Sequence, residues 1–276
     1  MREQGGLRRR AIPPRPEGRG LPRMRMNSLF VAWRPPMPDQ TGWRPVGRLE
    51  HDGGLYRFCY LQGARKPGFQ PFAGMTNLNQ IYESDELFPL FANRLLSKAR
   101  PEYEAYLRWS GFDTDSPPDP LVILGVTEGL RWTDAVEVFP CPVPDADGCY
   151  LNKFFLHGIH WMPPAALERI ARLAPEEPLK IMLDLQNEYD RHAVAVRTGN
   201  EPMQIGFVPR YLAHDIRQLV KQCDTEFIKL CVARVNHDAP LQNRVLCRMH
   251  ARWPDGFQPC SGEDFAPIPA GVSVYC

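Results

Sequence analysis

The chain has 276 residues, of which 43% are hydrophobic and 24% charged, so it can build a substantial core and exceeds the usual size of one domain. The absence of a run of about 18 apolar residues, and of an apolar signal segment at the start, predicts a cytoplasmic protein that does not enter a membrane. Eight cysteines without C-x-x-C spacing indicate mostly reduced thiols rather than a disulfide scaffold.

Charge is distributed unevenly along the chain. Residues 1–26 carry a net charge of +6, residues 27–150 carry −5, and residues 151–235 carry +1. A protein that coats duplex DNA needs a basic domain, so any nucleic-acid site here is expected to be small and local. Residues 1–26 hold too few apolar side chains to offset the entropy of ordering, and we predict a disordered basic leader.

The first half predicts a β-rich domain with helices, over residues 27–140. Strands are indicated at 29–33, 43–49, 55–61 and 135–139. Ser84 followed by two acids predicts a helix start within 84–96, 101–111 is a clearer helix, and 119–124 fits either a short helix or a buried strand. Residues 141–150, which follow with prolines and a glycine, are predicted to be a linker.

The second half predicts another domain over residues 151–250, followed by an irregular tail over 251–276. The turn at Thr198–Glu201 indicates a hairpin, and an edge strand is expected at 245–249. Further strands are predicted at 153–159, 179–185, 193–197, 203–208 and 227–235, with helices at 164–173 and 211–222. The fold class is therefore α+β, with two β-rich modules and short helices.

Three ordered motifs in the second half carry a resemblance to a known family. They are Phe155-Leu-His-Gly-Ile-His-Trp161, Leu183-Asp-Leu-Gln-Asn-Glu-Tyr-Asp-Arg-His-Ala193 and Ile205-Gly-Phe-Val-Pro-Arg-Tyr-Leu-Ala213. On these motifs, residues 153 to about 235 resemble the HIRAN domain. The resemblance implies an OB-like small barrel that captures the 3′ end of single-stranded DNA.

A second, looser resemblance concerns the first half. Residues 29 to about 96 are similar to the N-terminal β-rich subdomain of the HipA toxin kinases, through Val46–Leu49, Tyr56–Tyr60 and Leu87–Leu95. The glycine-rich loop and the catalytic Asp of such kinases are missing from the sequence. We therefore expect no kinase activity and no cofactor, and a surface for a protein partner.

The HIRAN resemblance implies a set of DNA-binding residues. They are His160, Trp161, Asn187, Tyr189, Asp190, Phe207 and Arg210. Asp190 would accept a hydrogen bond from the 3′-hydroxyl and repel a terminal phosphate, or instead only cap the loop. Trp161 and Tyr189 would stack on bases, or belong to the core.

The remaining matched positions also have two interpretations. Asn187 would bond a base edge or hold the loop, and Phe207 would face the ligand or be a buried strand aromatic. Arg210, at the start of a helix, suits a phosphate. His160 departs from relatives that carry a basic residue there, which weakens that contact.

Three classes of function remain in view. The leading hypothesis is a non-catalytic, bacterial-type accessory protein of DNA repair that binds a single-stranded 3′ end. The alternative is an interaction protein of a toxin-antitoxin or defence system without DNA binding. An enzyme would require Asp184, Glu188, Asp190 and His192 to form a hydrolytic metal site, which the match to a metal-free binding motif disfavours.

Overall fold

The computed structural model describes residues 28–35, 43–131 and 135–268, so the predicted leader and the end of the tail lie outside the described residues. The first half forms a five-stranded antiparallel sheet in the order β4-β3-β2-β1-β5. Its strands are β1 Ser28–Trp33, β2 Arg44–Asp52, β3 Leu55–Tyr60, β4 Tyr82–Ser84 and β5 Val136–Pro140. Its helices are α1 Pro89–Ala92, α2 Tyr103–Trp109 and α3 Pro120–Thr127.

The second half forms a six-stranded antiparallel sheet in the order β6-β11-β10-β7-β8-β9. The first three of its strands along the chain are β6 Cys149–Phe155, β7 Pro178–Leu183 and β8 Val194–Thr198. The other three are β9 Gln204–Phe207, β10 Lys229–Val235 and β11 Val245–Arg252. Two helices accompany them, α4 Pro164–Ala171 and α5 Arg210–Gln222.

The two edges of this second sheet meet near the ends of β6 and β9. His157, just after β6, exchanges both backbone hydrogen bonds with Phe207 at the end of β9, each with an N···O distance of 2.9 Å. Since β6 and β9 are opposite edges, this bridge curls the sheet into a half-barrel and leaves fewer unpaired edge groups. The mixed α+β class and the OB-like curvature predicted from the sequence are confirmed.

The hydrophobic core joins the two sheets. Phe139 from β5 stacks on Tyr211 from α5, with ring centroids 4.6 Å apart. Phe30 and Leu61 of the first half belong to the same buried cluster as Tyr150 and Val194 of the second. Burial of such large apolar side chains stabilises the contact by about 25 cal/mol per Å² of apolar surface.

Two local predictions are wrong. Residues 84–96 do not form one helix, because Ser84 ends strand β4, its hydroxyl accepts the Glu86 amide, and the helical turn begins only at Pro89. Strand β11 is not an edge strand, because it pairs with β6 on one side and β10 on the other. Alternation of apolar residues locates a strand but does not determine its neighbours.

Several other features correspond to their predictions. The ambiguous stretch 119–124 is helical, with the Asp119 carboxylate accepting the Leu121 amide at its start. The hairpin at Thr198–Glu201 is present between β8 and β9. Six of the described cysteines are free thiols, namely Cys59, Cys149, Cys223, Cys231, Cys247 and Cys260. Among the described residues, helices are too short or too polar to cross a membrane.

Candidate nucleic-acid interface

The first of the three motifs forms a tight turn at the junction of the sheet edges. Gly158 has a φ of 71°, in the left-handed region that glycine tolerates, and a single 3₁₀ turn follows over Ile159–Trp161. Ile159 is buried, whereas His160 and Trp161 point outward with ring centroids 4.4 Å apart. The turn thus uses one residue as an anchor and presents two rings to solvent.

The third motif packs directly under this turn. A Cβ at Gly206 would lie 2.6 Å from the His157 carbonyl oxygen, so only glycine fits there. The Phe207 ring lies below Gly158, where an added Cβ would be 3.0 Å away. Phe207 is half-buried, so it supports the turn whether or not it also faces a ligand.

The second motif is a loop over 184–193 that hydrogen-bonds to itself. The Asn187 side-chain oxygen accepts the amides of Tyr189 and Asp190, at 3.1 and 2.9 Å. Its amide nitrogen donates to the Asp184 carboxylate at 3.0 Å. Asn187 therefore performs the loop-holding role, because all of these partners belong to the loop.

Asp190 and Arg210 connect this loop to the start of helix α5. One Asp190 oxygen accepts the His192 amide at 2.8 Å, and the other accepts from Arg210 Nε at 3.1 Å. Arg210 also donates to the Tyr189 carbonyl at 2.6 Å. The capping interpretation of Asp190 is thus present in the structure, and the loop is fixed to the helix by a charge-assisted bond.

The exposed rim of the site is aromatic and apolar. Trp161 is 78% exposed, Tyr189 76% and Leu185 73%, whereas the other exposed large apolar side chains among the described residues lie between 36 and 46%. Trp161 and Tyr189 are therefore not core residues. Exposed aromatic side chains on rigid turns are typical of a binding surface.

The four residues considered for a metal site do not converge as ligands. The Asp184 carboxylate is used by Asn187 and that of Asp190 by Arg210. Burial, followed by the charge of Arg191, lowers the pKa of His192. Among the described residues, Asp145, Cys149 and His250 bring ligand atoms within 4.8 Å of one another, away from the three motifs.

A buried polar network lies behind the turn, and sequence reasoning missed it. Glu128, held at φ 61° after helix α3, has one oxygen 2.8 Å from His157 Nε2 and accepts from the Tyr211 hydroxyl at 3.1 Å with the other. Glu137 on β5 lies nearby and bonds Arg34 and Trp43. His157 belongs to the first motif and Tyr211 to the third, so Glu128 of the first half bonds to one residue of each.

The ionisation of this network follows from its burial. Burial lowers the pKa of His157, but the charge of Glu128, its hydrogen bond and the charge of Glu137 together outweigh this effect and raise it. Burial also raises the pKa of Glu137. Burial and the nearby Glu128 charge raise the pKa of Tyr211, which stays a neutral donor.

Comparisons with known proteins concern the second half of the chain. Residues 153–252 match the sequence model of the HIRAN domain. The HIRAN domain of human HLTF is 17% identical over 38% of this chain and 78% of that chain, with a TM-score of 0.27. A Lactobacillus plantarum protein is 12% identical over 38% of this chain and 100% of that chain, with a TM-score of 0.29. No curated protein matches the chain.

The match to the family model confirms the predicted HIRAN region and places its end at residue 252. The resemblance of residues 29–96 to the HipA subdomain stays a prediction. The DNA-binding roles of the seven matched residues also stay predictions, although the structure brings their three motifs together.

Proposed function

We propose that residues 153–252 capture the 3′ end of single-stranded DNA, without catalysing a reaction on it. The observation that carries the proposal is the convergence of the three motifs of a HIRAN-matching region into one rim. The His157–Phe207 bridge joins the first to the third, and the Asp190–Arg210 bond joins the second to the third.

Asp190 supplies the chemistry for recognising an end. A carboxylate offers about four acceptor positions, and the loop and Arg210 occupy two of them. Its side chain is 18% exposed, so a terminal hydroxyl can reach it. A 3′-phosphate brings negative charge against the same oxygens and is disfavoured.

Trp161 and Tyr189 supply affinity that does not depend on base identity. Each base stacked on an aromatic ring contributes about 1–3 kcal/mol, and every base has a π-face. Both side chains are more than 70% exposed, so each ring has surface available for a base. Arg210 opens helix α5, where a guanidinium and helix N-terminal amides favour the internucleotide phosphate that precedes the terminal nucleotide.

Fluorescence anisotropy with matched strands that carry a 3′-hydroxyl or a 3′-phosphate tests the proposal. The protein is expected to prefer the hydroxyl end, and Asp190→Asn to remove the preference because it removes the repelling charge. Tyr189→Ala is expected to weaken binding by about 5- to 150-fold, the equivalent of one lost stack. Equal affinity of the wild-type protein for both ends, or none for either, would overturn the proposal.

Leu185→Ala is the matched control for Tyr189→Ala. Leu185 lies on the same loop and is similarly exposed, but it has no ring to stack. Its truncation is expected to weaken binding much less than Tyr189→Ala does. A loss equal to that of Tyr189→Ala would show that the loop binds through general apolar contact instead of stacking.

A further inference from the structure

A cleft of about 830 Å³ separates the helical part of the first half from the second sheet. One wall is formed by residues between 92 and 131, including Lys98, Arg100 and Tyr103. Phe155, His157, Gln242 and Asn243 form the other wall. The cleft is therefore built by both halves of the chain.

The wall of this cleft is basic although the surrounding segment is acidic. Lys98, Arg100 and Arg131 are exposed there, while residues 27–150 as a whole carry a net charge of −5. Among the described residues of the wall, Glu128 is the one acid, and its carboxylate is buried against His157 and Tyr211. The cleft is consequently suited to a polyanion.

The same wall offers an aromatic surface. Tyr103 is half-buried at the cleft, and Tyr106 beside it is fixed by a 2.8 Å hydrogen bond from its hydroxyl to Thr127. A basic groove that also carries aromatic rings is the arrangement that binds single-stranded nucleic acid without sequence preference. A duplex has no unstacked bases to place on such rings.

The cleft is adjacent to the proposed end-binding rim. His157 lines it and is three residues before His160 in the turn. The 3₁₀ turn Leu241–Asn243, which supplies Gln242 and Asn243, lies against the turn Ile159–Trp161. A strand whose terminus reaches Trp161 can therefore continue into the cleft.

We propose that this cleft holds the phosphate backbone of the nucleotides that precede the captured 3′ end. This inference rests on the proposed function, because the rim sets the direction of the strand. Lys98, Arg100 and Arg131 contact phosphates, and Tyr103 stacks on a base. The first half is thereby part of the nucleic-acid site and not only a support for it.

The test compares oligothymidylates of 4 and 12 nucleotides with the full chain. The 12-mer is expected to bind more tightly than the 4-mer. A triple variant, Lys98→Ala, Arg100→Ala and Arg131→Ala, is expected to lose roughly 100-fold in affinity for the 12-mer at 0.1 M salt, since each phosphate contact contributes about 0.7 to the logarithmic salt slope. The slope of the logarithm of affinity against the logarithm of salt concentration should be smaller by about 2 in the triple variant than in the wild-type protein.

Two controls separate charge at the cleft from charge in general. Removing three exposed cations outside the cleft, with Arg172→Ala, Lys221→Ala and Lys229→Ala, is expected to preserve the advantage of the 12-mer. The exchange Lys98→Arg, Arg100→Lys and Arg131→Lys keeps the charges and should bind as the wild-type protein does.

The outcomes distinguish the two proposals. The cleft proposal is overturned if the triple cleft variant still binds the 12-mer more tightly than the 4-mer. It is also overturned if the wild-type protein binds both lengths equally. In either case a preference for the 3′-hydroxyl on the 4-mer would still support the rim proposal. Loss of binding to both lengths in the triple variant also overturns it, because the rim alone should hold the 4-mer. A wild-type protein with the length effect but no end preference overturns the rim proposal alone.

Discussion

The 184–193 loop and the Glu128 network are both polar, yet they are built in opposite ways. In the loop, Asn187 and Asp190 bond amides two or three residues away, and the side chain of Tyr189 is left in solvent. In the network, Glu128 bonds His157 and Tyr211 at sequence separations of 29 and 83, and it is fully buried.

The difference shows which part of the site each region governs. The loop sets the local shape of the exposed rim, and its bonds can break without disturbing the core. The network joins the two halves, and its buried Glu128 carboxylate cannot exchange its partners for water. Mutations in the two regions should therefore differ in size and in how far their effects extend.

The largest effect is expected from Glu128→Ala. Removing one partner of a buried charged cluster leaves His157 and Tyr211 unsatisfied and costs about 3–5 kcal/mol of unfolding free energy, measured by urea denaturation. Glu128→Gln keeps acceptor capacity and should cost clearly less. Equal, small costs for both variants would show that the network is not a structural link.

Gly206→Ala is expected to have the next largest effect, a loss of roughly 3 kcal/mol of unfolding free energy, because a Cβ there meets the His157 carbonyl and φ is 154°. Urea denaturation measures this loss as well. Gly199→Ala is the matched control, since its Cβ meets its nearest atom, the Pro178 oxygen, only at 3.4 Å. Similar destabilisation by both would contradict the close approach of β9 to the turn.

Asn187→Ala should have a smaller and local effect. It frees the amides of Tyr189 and Asp190, and we expect a cost of about 1–2 kcal/mol. Hydrogen exchange should quicken at these two amides while strands β7 and β8 stay protected. Faster exchange throughout the sheet would mean that the loop also supports the core.

The smallest effect concerns pH. The pKa of His157 is raised, so the folded state binds a proton more tightly than the unfolded chain does. The resulting contribution to the free energy of unfolding is full below the unfolded pKa of about 6.5 and is lost as pH rises through the folded pKa. Glu137, whose pKa burial raises, acts in the same direction above its own unfolded pKa. Melting temperature should therefore fall less steeply with rising pH in His157→Gln than in the wild-type protein.

The sequence predicted what depends on nearby residues. Strands such as β1, β3 and β5 lie within one or two residues of their predicted bounds, and the three motifs identified the rim because each is contiguous. The loop-holding role of Asn187 was also one of the two interpretations considered. Local patterns suffice for such features because their partners are a few residues away.

Features that depend on distant residues were missed. The internal position of β11 follows from its pairing with β6, about 95 residues earlier in the chain, and strand periodicity does not encode that pairing. Glu128 follows an apolar helix in a region with no recognised motif, so no local signal marked it. The basic cleft was hidden because its cations belong to a segment with a negative net charge.

Arg210 and Tyr211 are consecutive residues in the first turn of α5, yet they bond in different directions. Arg210 holds the exposed loop through Asp190, and Tyr211 holds the buried carboxylate of Glu128. That turn therefore presents one side chain toward the surface and one toward the interior. The exposed loop at the proposed rim and the buried junction of the two halves are therefore attached to the same turn of backbone.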